Sequence, residues 1–266
     1  MKHLVAKLLV ALALATSALT FTVFNPAPVV QLNRFERAQM QTVLIRSADG
    51  GEGSGVIVER TNPDGEKRFF AWTAAHVVAG FTEVEVIRIG RENAERIDCE
   101  LTFPAFVISS SVEEDLALLW VDIPASFVLP VEFQFNLPHV GDPVVHVGNY
   151  EGGDYDQSVA TGIVAQIGVH PPFPDWPWPL LDQTDALVIP GSSGGGIFDA
   201  DGKVLGIVVA RHQLGISFYI PTRQILKWSV PAGVTWALML DWCPDDTSLH
   251  AHNEALLPAV PVATCH

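Results

Sequence analysis

Pro190-Gly191-Ser192-Ser193-Gly194-Gly195-Gly196 is the stretch on which the reading of this chain turns. A serine between glycines fits a tight turn that exposes its hydroxyl. Backbone N–H groups on either side of such a turn can converge on one point. Acyl transfer needs that layout, a nucleophile beside a preformed oxyanion hole. Glycine and serine runs also make plain flexible loops. The run therefore acquires chemical meaning only in the company of a base and a carboxylate.

A serine hydroxyl is a weak nucleophile until a base takes its proton. Of the nine histidines, His76 is the best placed. It lies in Phe70-Ala71-Trp72-Thr73-Ala74-Ala75-His76-Val77-Val78, an apolar strand running into small residues that leave room for a side chain reaching into a cleft. His3 falls in the N-terminal segment, His250, His252 and His266 in the tail, and His170 and His212 in loops. His139 and His146 flank or occupy a strand beginning near Pro143. A carboxylate must hold the imidazole in the right tautomer, and Asp115 is the candidate. It precedes the apolar run Leu116-Ala117-Leu118-Leu119-Trp120-Val121, and an aspartate at the mouth of a buried strand needs hydrogen-bond partners. The bland alternatives are a structural histidine and a strand-edge turn residue.

Thr73-Ala74-Ala75-His76, then Asp115-Leu116-Ala117-Leu118-Leu119, then Gly191-Ser192-Ser193-Gly194-Gly195 resemble the three signatures of trypsin-like (chymotrypsin-fold) serine proteases, in that family's order of His, Asp, Ser. Further segments are similar to its HtrA/Deg branch: Gly53-Ser54-Gly55-Val56-Ile57-Val58, Gly141-Asp142-Pro143 through Gly148-Asn149, Ser158 to Val164, Gln183 to Ala186, and Ile216 to Pro221. The resemblance spans residues 41 to 228. It implies an all-β fold of two antiparallel six-stranded barrels with a short C-terminal helix and a cleft between the barrels. It also implies that Ser193 attacks the scissile carbonyl, that His76 takes and returns the proton, and that Asp115 orients His76. The N–H groups of Gly191 and Ser193 would form the oxyanion hole, with Ser192 a small polar neighbour. By the same correspondence Leu187 lies at the base of the primary specificity pocket, and Val208, Val209 and Ala210 pair with the substrate backbone. No aspartate sits at the pocket base, so a small or medium aliphatic side chain is expected there. His212 beside Arg211 offers an acidic residue as the alternative.

Two departures from the family pattern matter. Ser192 stands where digestive relatives carry the aspartate that pairs with a newly cleaved N-terminus, and no activation site appears upstream. Activation by propeptide cleavage is therefore not expected. With 38 residues after Trp228, the PDZ domain common in HtrA/Deg proteins is not expected to follow.

Length and composition fit one large all-β domain or two small ones. The chain has 266 residues, 48% of them hydrophobic, enough for a substantial core. Short β-type runs alternate with Gly, Pro and Asp turns from residue 41 to 220. One short helix is expected at Thr222–Trp228, and no sequence repeat is visible. A formal net charge of −15 repels phosphate backbones and argues against nucleic-acid binding. Basic Lys2 and Lys7 precede an uncharged, mostly apolar run from Leu8 to Phe24. Residues 1–25 thus read as an export signal, with an uncleaved anchor through residues 8–24 as the alternative. Either places the rest of the chain in the periplasm or outside the cell.

The domain is expected to span residues 38–228, with barrel one about 38–125 and barrel two about 130–221. Residues 169–179 form a Pro/Trp-rich loop, and 241–266 a Pro/Ala-rich tail. Cys99, Cys243 and Cys265 cannot all pair within the chain, and Cys243 with Cys265 is the expected bridge. The tail's Cys and His spacing matches no standard zinc site. Neither metal nor organic cofactor is expected. The implied activity is that of an exported serine endopeptidase on polypeptide substrates, losing rate as acid protonates His76. The rival readings are a catalytically silent homologue that binds peptides and an esterase using the same three residues. The oligomeric state is not legible.

Overall fold

A computed structural model describes residues 32–92, 95–150, 156–170, 180–212 and 215–239. The N-terminal segment, residues 171–179 of the proline-rich loop, and the tail with Cys243 and Cys265 lie outside the described residues.

The chain opens with a helix, α1 (Arg34–Gln41). Asn33 caps it by accepting from the N–H groups of Phe35 and Glu36, while the Glu36 carboxylate accepts from the Asn33 N–H at 2.7 Å. This reciprocal capping box satisfies N–H groups that a helix start leaves unpaired. The sequence signal, Asn followed three residues later by Glu, was present but not read as a helix.

Six strands follow: β1 (Thr42–Arg46), β2 (Glu52–Thr61), β3 (Lys67–Thr73), β4 (Glu83–Glu92), β5 (Glu95–Ser111) and β6 (Leu116–Val121). They close into a barrel in the order β1-β2-β3-β6-β5-β4. Six more are β7 (Pro143–Gly148), β8 (Ser158–Val169), β9 (Leu181–Thr184), β10 (Gly196–Phe198), β11 (Val204–His212) and β12 (Ile216–Pro221). The second barrel runs β7-β8-β9-β12-β11-β10, the same winding repeated. All pairings within both barrels are antiparallel. The expected all-β architecture of two six-stranded barrels is thus the observed one. The duplication lives in topology, which a search for repeated residues does not see.

Helix α2 (Thr222–Ser229) follows β12 directly, at the position expected for the one short helix. Two anchors hold it. Arg223 forms a two-pronged ion pair with Asp182, whose side chain is fully buried. Trp228 meets Trp72 of barrel one edge to face, with ring centroids 5.8 Å apart. The following turn, Thr235–Ala237, continues onto barrel one. Trp236 stands edge-on against Phe70 at 4.8 Å, the Trp72 indole N–H donates to the Ala237 carbonyl, and Arg60 donates to the Leu238 carbonyl. The last described stretch of chain therefore closes the core of the first barrel, and one hydrophobic cluster runs through both.

Candidate active site

The three predicted residues come from three connections, each fixed by its own local chemistry. His76 sits in a single 3-10 turn, Ala75–Val77, after β3. Asp115 ends the tight link between β5 and β6. Its φ of 50° lies in the left-handed region, which aspartate enters more readily than most residues. The side chain of Asp115 is almost fully buried and accepts three contacts from one residue. The His76 backbone N–H donates to Oδ1 at 3.0 Å, and the ring Nδ1 lies 3.0 Å from Oδ1 and 2.8 Å from Oδ2. A carboxylate only accepts, so Nδ1 carries the hydrogen and the neutral ring keeps its lone pair on Nε2. The His76 side chain is 46% exposed, so that lone pair is available in the cleft.

Ser193 follows a turn built by Ile189-Pro190-Gly191-Ser192 and closed by the Ser192 N–H on the Ile189 carbonyl at 3.0 Å. Proline second and a glycine at φ 91° third are the marks of a type II turn. The N–H groups of Gly194 and Gly195 are taken by the carbonyls of Val208 (2.8 Å) and Ser192 (3.0 Å). Those of Gly191 and Ser193 have no partner among the described residues. Gly191 and Ser193, with His76, line one cavity of about 660 Å³. Ser192 does not line it. That residue is fully buried, and its hydroxyl accepts a long contact from the Ile189 N–H at 3.4 Å. The two adjacent serines are thus sorted by exposure.

Barrel one grips this loop through Ser54. The Ser54 N–H donates to the Ser193 carbonyl at 2.7 Å, and its hydroxyl donates to the Gly191 carbonyl at 2.8 Å. The same hydroxyl accepts from the backbone N–H and side-chain amide of Asn149, at 2.9 and 3.1 Å. The Thr73 hydroxyl donates to the Ser54 carbonyl at 2.7 Å. A side chain on Gly194 would meet Ser54 and Thr73 atoms at 2.1 Å, so the loop can lie this close only as glycine. Ser54 and Asn149 stood inside quoted motifs, yet no role was read for them. Their only sequence signal is a short polar residue set among glycines.

The predicted substrate-binding residues are placed less uniformly. Val208 is buried, and both its N–H and carbonyl are bonded to the nucleophile loop. Val209 occupies a bulge between β11 and β12, and Ala210 is half-buried. β10 pairs β11 only from Val204 to Ile207, so Ala210–His212 pair with β12 on one side. Leu187 is 55% exposed and lies outside the lining of the 660 Å³ cavity.

His146 is buried beneath the same loop. Its Nδ1 donates to the Gly196 carbonyl at 3.1 Å, and Nε2 has no partner. Burial, opposed only by that bond, pushes its pKa down to about 4. Among the described residues no group of three His, Cys, Asp or Glu side chains could hold a metal, and no helix is long and apolar enough to cross a membrane.

Known proteins resemble this chain in sequence and fold. The sequence profile of the trypsin-like peptidase domain matches residues 53–207, more than half of the chain. The putative serine protease HhoA of Synechocystis is 34% identical over 182 residues, which are 65% of this chain and 41% of that protein. A probable periplasmic serine endoprotease, DegP-like, of Hahella chejuensis is 36% identical over 195 residues, 71% of this chain and 37% of that one. The chain spans well under half the length of these curated relatives. The solved structure of the HtrA-type protease AlgW with a tripeptide is 26% identical, with a TM-score of 0.59 over 74% of this chain and 62% of that one. An inactive form of the Rv3671c protease matches with 26% identity and a TM-score of 0.57, over 75% and 92%. Two closed barrels, a glycine-framed serine sharing a cavity with a carboxylate-held histidine, and these matches agree: the chain belongs to the trypsin-like peptidase family, as a serine protease domain of the HtrA type.

Proposed function

We propose that this chain is a serine endopeptidase that cleaves polypeptides through an acyl-enzyme on Ser193, with His76 as base and Asp115 as its orienting carboxylate. The observation that carries this reading is the Nδ1 of His76 bound by both oxygens of buried Asp115, in a cavity that Ser193 also lines. Nε2 of His76 takes the Ser193 proton as Oγ attacks the carbonyl carbon. The charge that gathers on the carbonyl oxygen is met by the N–H groups of Gly191 and Ser193, left unspent within the fold. Donors of this kind, fixed before the reaction, are worth about 2.7–4 kcal/mol each. His76 then returns the proton to the leaving amine, and water repeats the sequence to release the acyl group.

The acyl half of the substrate pairs as an added strand along Val209 and Ala210 of β11, beyond the reach of β10 and with only β12 as strand partner among the described residues. Leu187, Val209 and Ala210 remain the proposed contacts on that side, whereas Val208, buried and with its N–H and carbonyl both bonded to Gly195 and Gly194, has no backbone group left for substrate. The domain is proposed to work outside the cytoplasm, with residues 1–25 as its export signal or tether. The test is labelling by a fluorophosphonate probe alongside peptide hydrolysis. Wild type is expected to label at Ser193 and to cleave peptides, and Ser193→Ala to do neither. A folded wild type that labels no better than Ser193→Ala would overturn the reading. Turnover of esters alone would replace it with an acyl hydrolase.

A further inference from the structure

The cavity holding His76 and Ser193 contains no residue of β11. Its walls are the β1–β2 turn with Ser47, Asp49 and Glu52, the segment after His76 with Val77, Ala79 and Phe81, and the Pro190–Gly191 turn. If the acyl half of a substrate lies along β11, this cavity is left for the half that departs as the amine. The two carboxylates in it differ. Glu52 is neutralised by Arg46, whose Nε lies 2.9 Å from Oε1. Asp49 accepts from the Ser47 hydroxyl at 2.6 Å and the Gly51 N–H at 3.1 Å. Neither partner is a cation, so its charge is held in place but not cancelled. Val77, Ala79 and Phe81 line the same cavity, with the Val77 side chain largely buried against Gly53. A cavity lined by apolar residues and by a carboxylate without a cationic partner matches a side chain with a methylene stem and a cationic head.

We propose that Asp49 selects lysine or arginine at the first or second substrate residue after the scissile bond, with the stem lying along Val77, Ala79 and Phe81. This rests on the protease reading above. The Ser47 hydroxyl, and after it the Gly51 N–H, hold the Asp49 carboxyl below its usual range, so the charge persists into mild acid. The preference belongs to the leaving side and is independent of the aliphatic preference expected for the primary pocket.

The test is a set of peptides with one fixed acyl half and varied residues at the two positions after the cleaved bond. Wild type is expected to favour Lys or Arg over uncharged norleucine about two- to fivefold in kcat/KM, the range of an exposed ion pair. That ratio should shrink as salt rises from about 0.05 to 0.5 M, because screening shortens the reach of the charge. The salt series needs no variant. Asp49→Asn is expected to bring the ratio to unity, and Asp49→Lys to invert it in favour of acidic residues. Cleavage without a basic preference, or a preference that survives Asp49→Asn, would overturn the assignment and leave the protease reading intact. Failure of wild type to cleave any peptide would overturn both.

Discussion

Ser54 shows how one hydroxyl can hold two halves of a molecule. It donates to the Gly191 carbonyl at the edge of the cavity and accepts two buried hydrogen bonds from Asn149. Ser54→Ala would leave a carbonyl and two N–H groups unpaired, a loss of order 1–3 kcal/mol. Because the carbonyl belongs to the turn presenting the Gly191 N–H, the expected cost falls on the transition state. We predict that kcat drops about tenfold or more with KM little changed. Affinity for a peptidyl boronic acid, which mimics the tetrahedral state, should fall in step. An unchanged kcat would reduce Ser54 to packing. At this scale the sequence was most legible where chemistry requires a particular residue beside an apolar strand. His76 and Asp115 stood out for that reason, and their side chains do meet. Ser54 and Asn149 were not legible as partners, since their hydrogen bonds span 95 residues of sequence and form only once both barrels close.

The element that matters most is the loop from Ile189 to Gly196, and it rests on a histidine that takes no part in the proposed chemistry. His146 is neutral when folded, because its buried Nε2 would gain a proton with nothing to receive it. Its folded pKa, about 4, lies below the unfolded value of 6.5. The unfolded chain therefore binds more protons between these values, and stability must fall as pH drops from 6.5 to 4. At 1.36 kcal/mol per unit the loss is about 3 kcal/mol. Urea unfolding of wild type and His146→Leu across pH 7 to 4 checks this. The difference between the two proteins should move by that amount in favour of the variant as the acid rises. A pH-independent difference would mean that the ring finds a partner when charged. Elements are legible in proportion to their apolar pattern: the run Leu116–Val121 is β6 to the residue, and the strand expected to begin near Pro143 is β7. β9 was missed because its buried Asp182 looks polar until Arg223 arrives from α2 to pair with it. β10, three residues long, is too short to carry a period.

At the scale of the whole molecule, the two barrels share a winding and a core, yet the closing piece of barrel one comes from beyond barrel two. Trp236, 5% exposed, is the clearest member of that piece. Trp236→Ala should destabilise the fold by about 3–5 kcal/mol, the usual cost of emptying a buried aromatic site. Chemical denaturation followed by tryptophan fluorescence would measure it. A change below about 1 kcal/mol would mean that the segment merely rests on the barrel. The two-barrel architecture was legible because a series of short motifs kept its order along the chain. The docking of residues 230–239 was not, because nothing local in Trp236 or Leu238 says which barrel they will meet.

That return of the chain has a consequence for biogenesis. Phe70 and Trp72 leave the ribosome more than 150 residues before Trp228 and Trp236, the rings that cover them. A nascent chain holding only the first barrel lacks one wall of its own core, so it cannot commit to its final state while synthesis continues. Residues 228–238 must therefore be made before that core can be completed. If the chain is exported, as proposed above, and crosses unfolded, a first barrel that is completed only by residues 228–238 keeps it loose until that segment has been made.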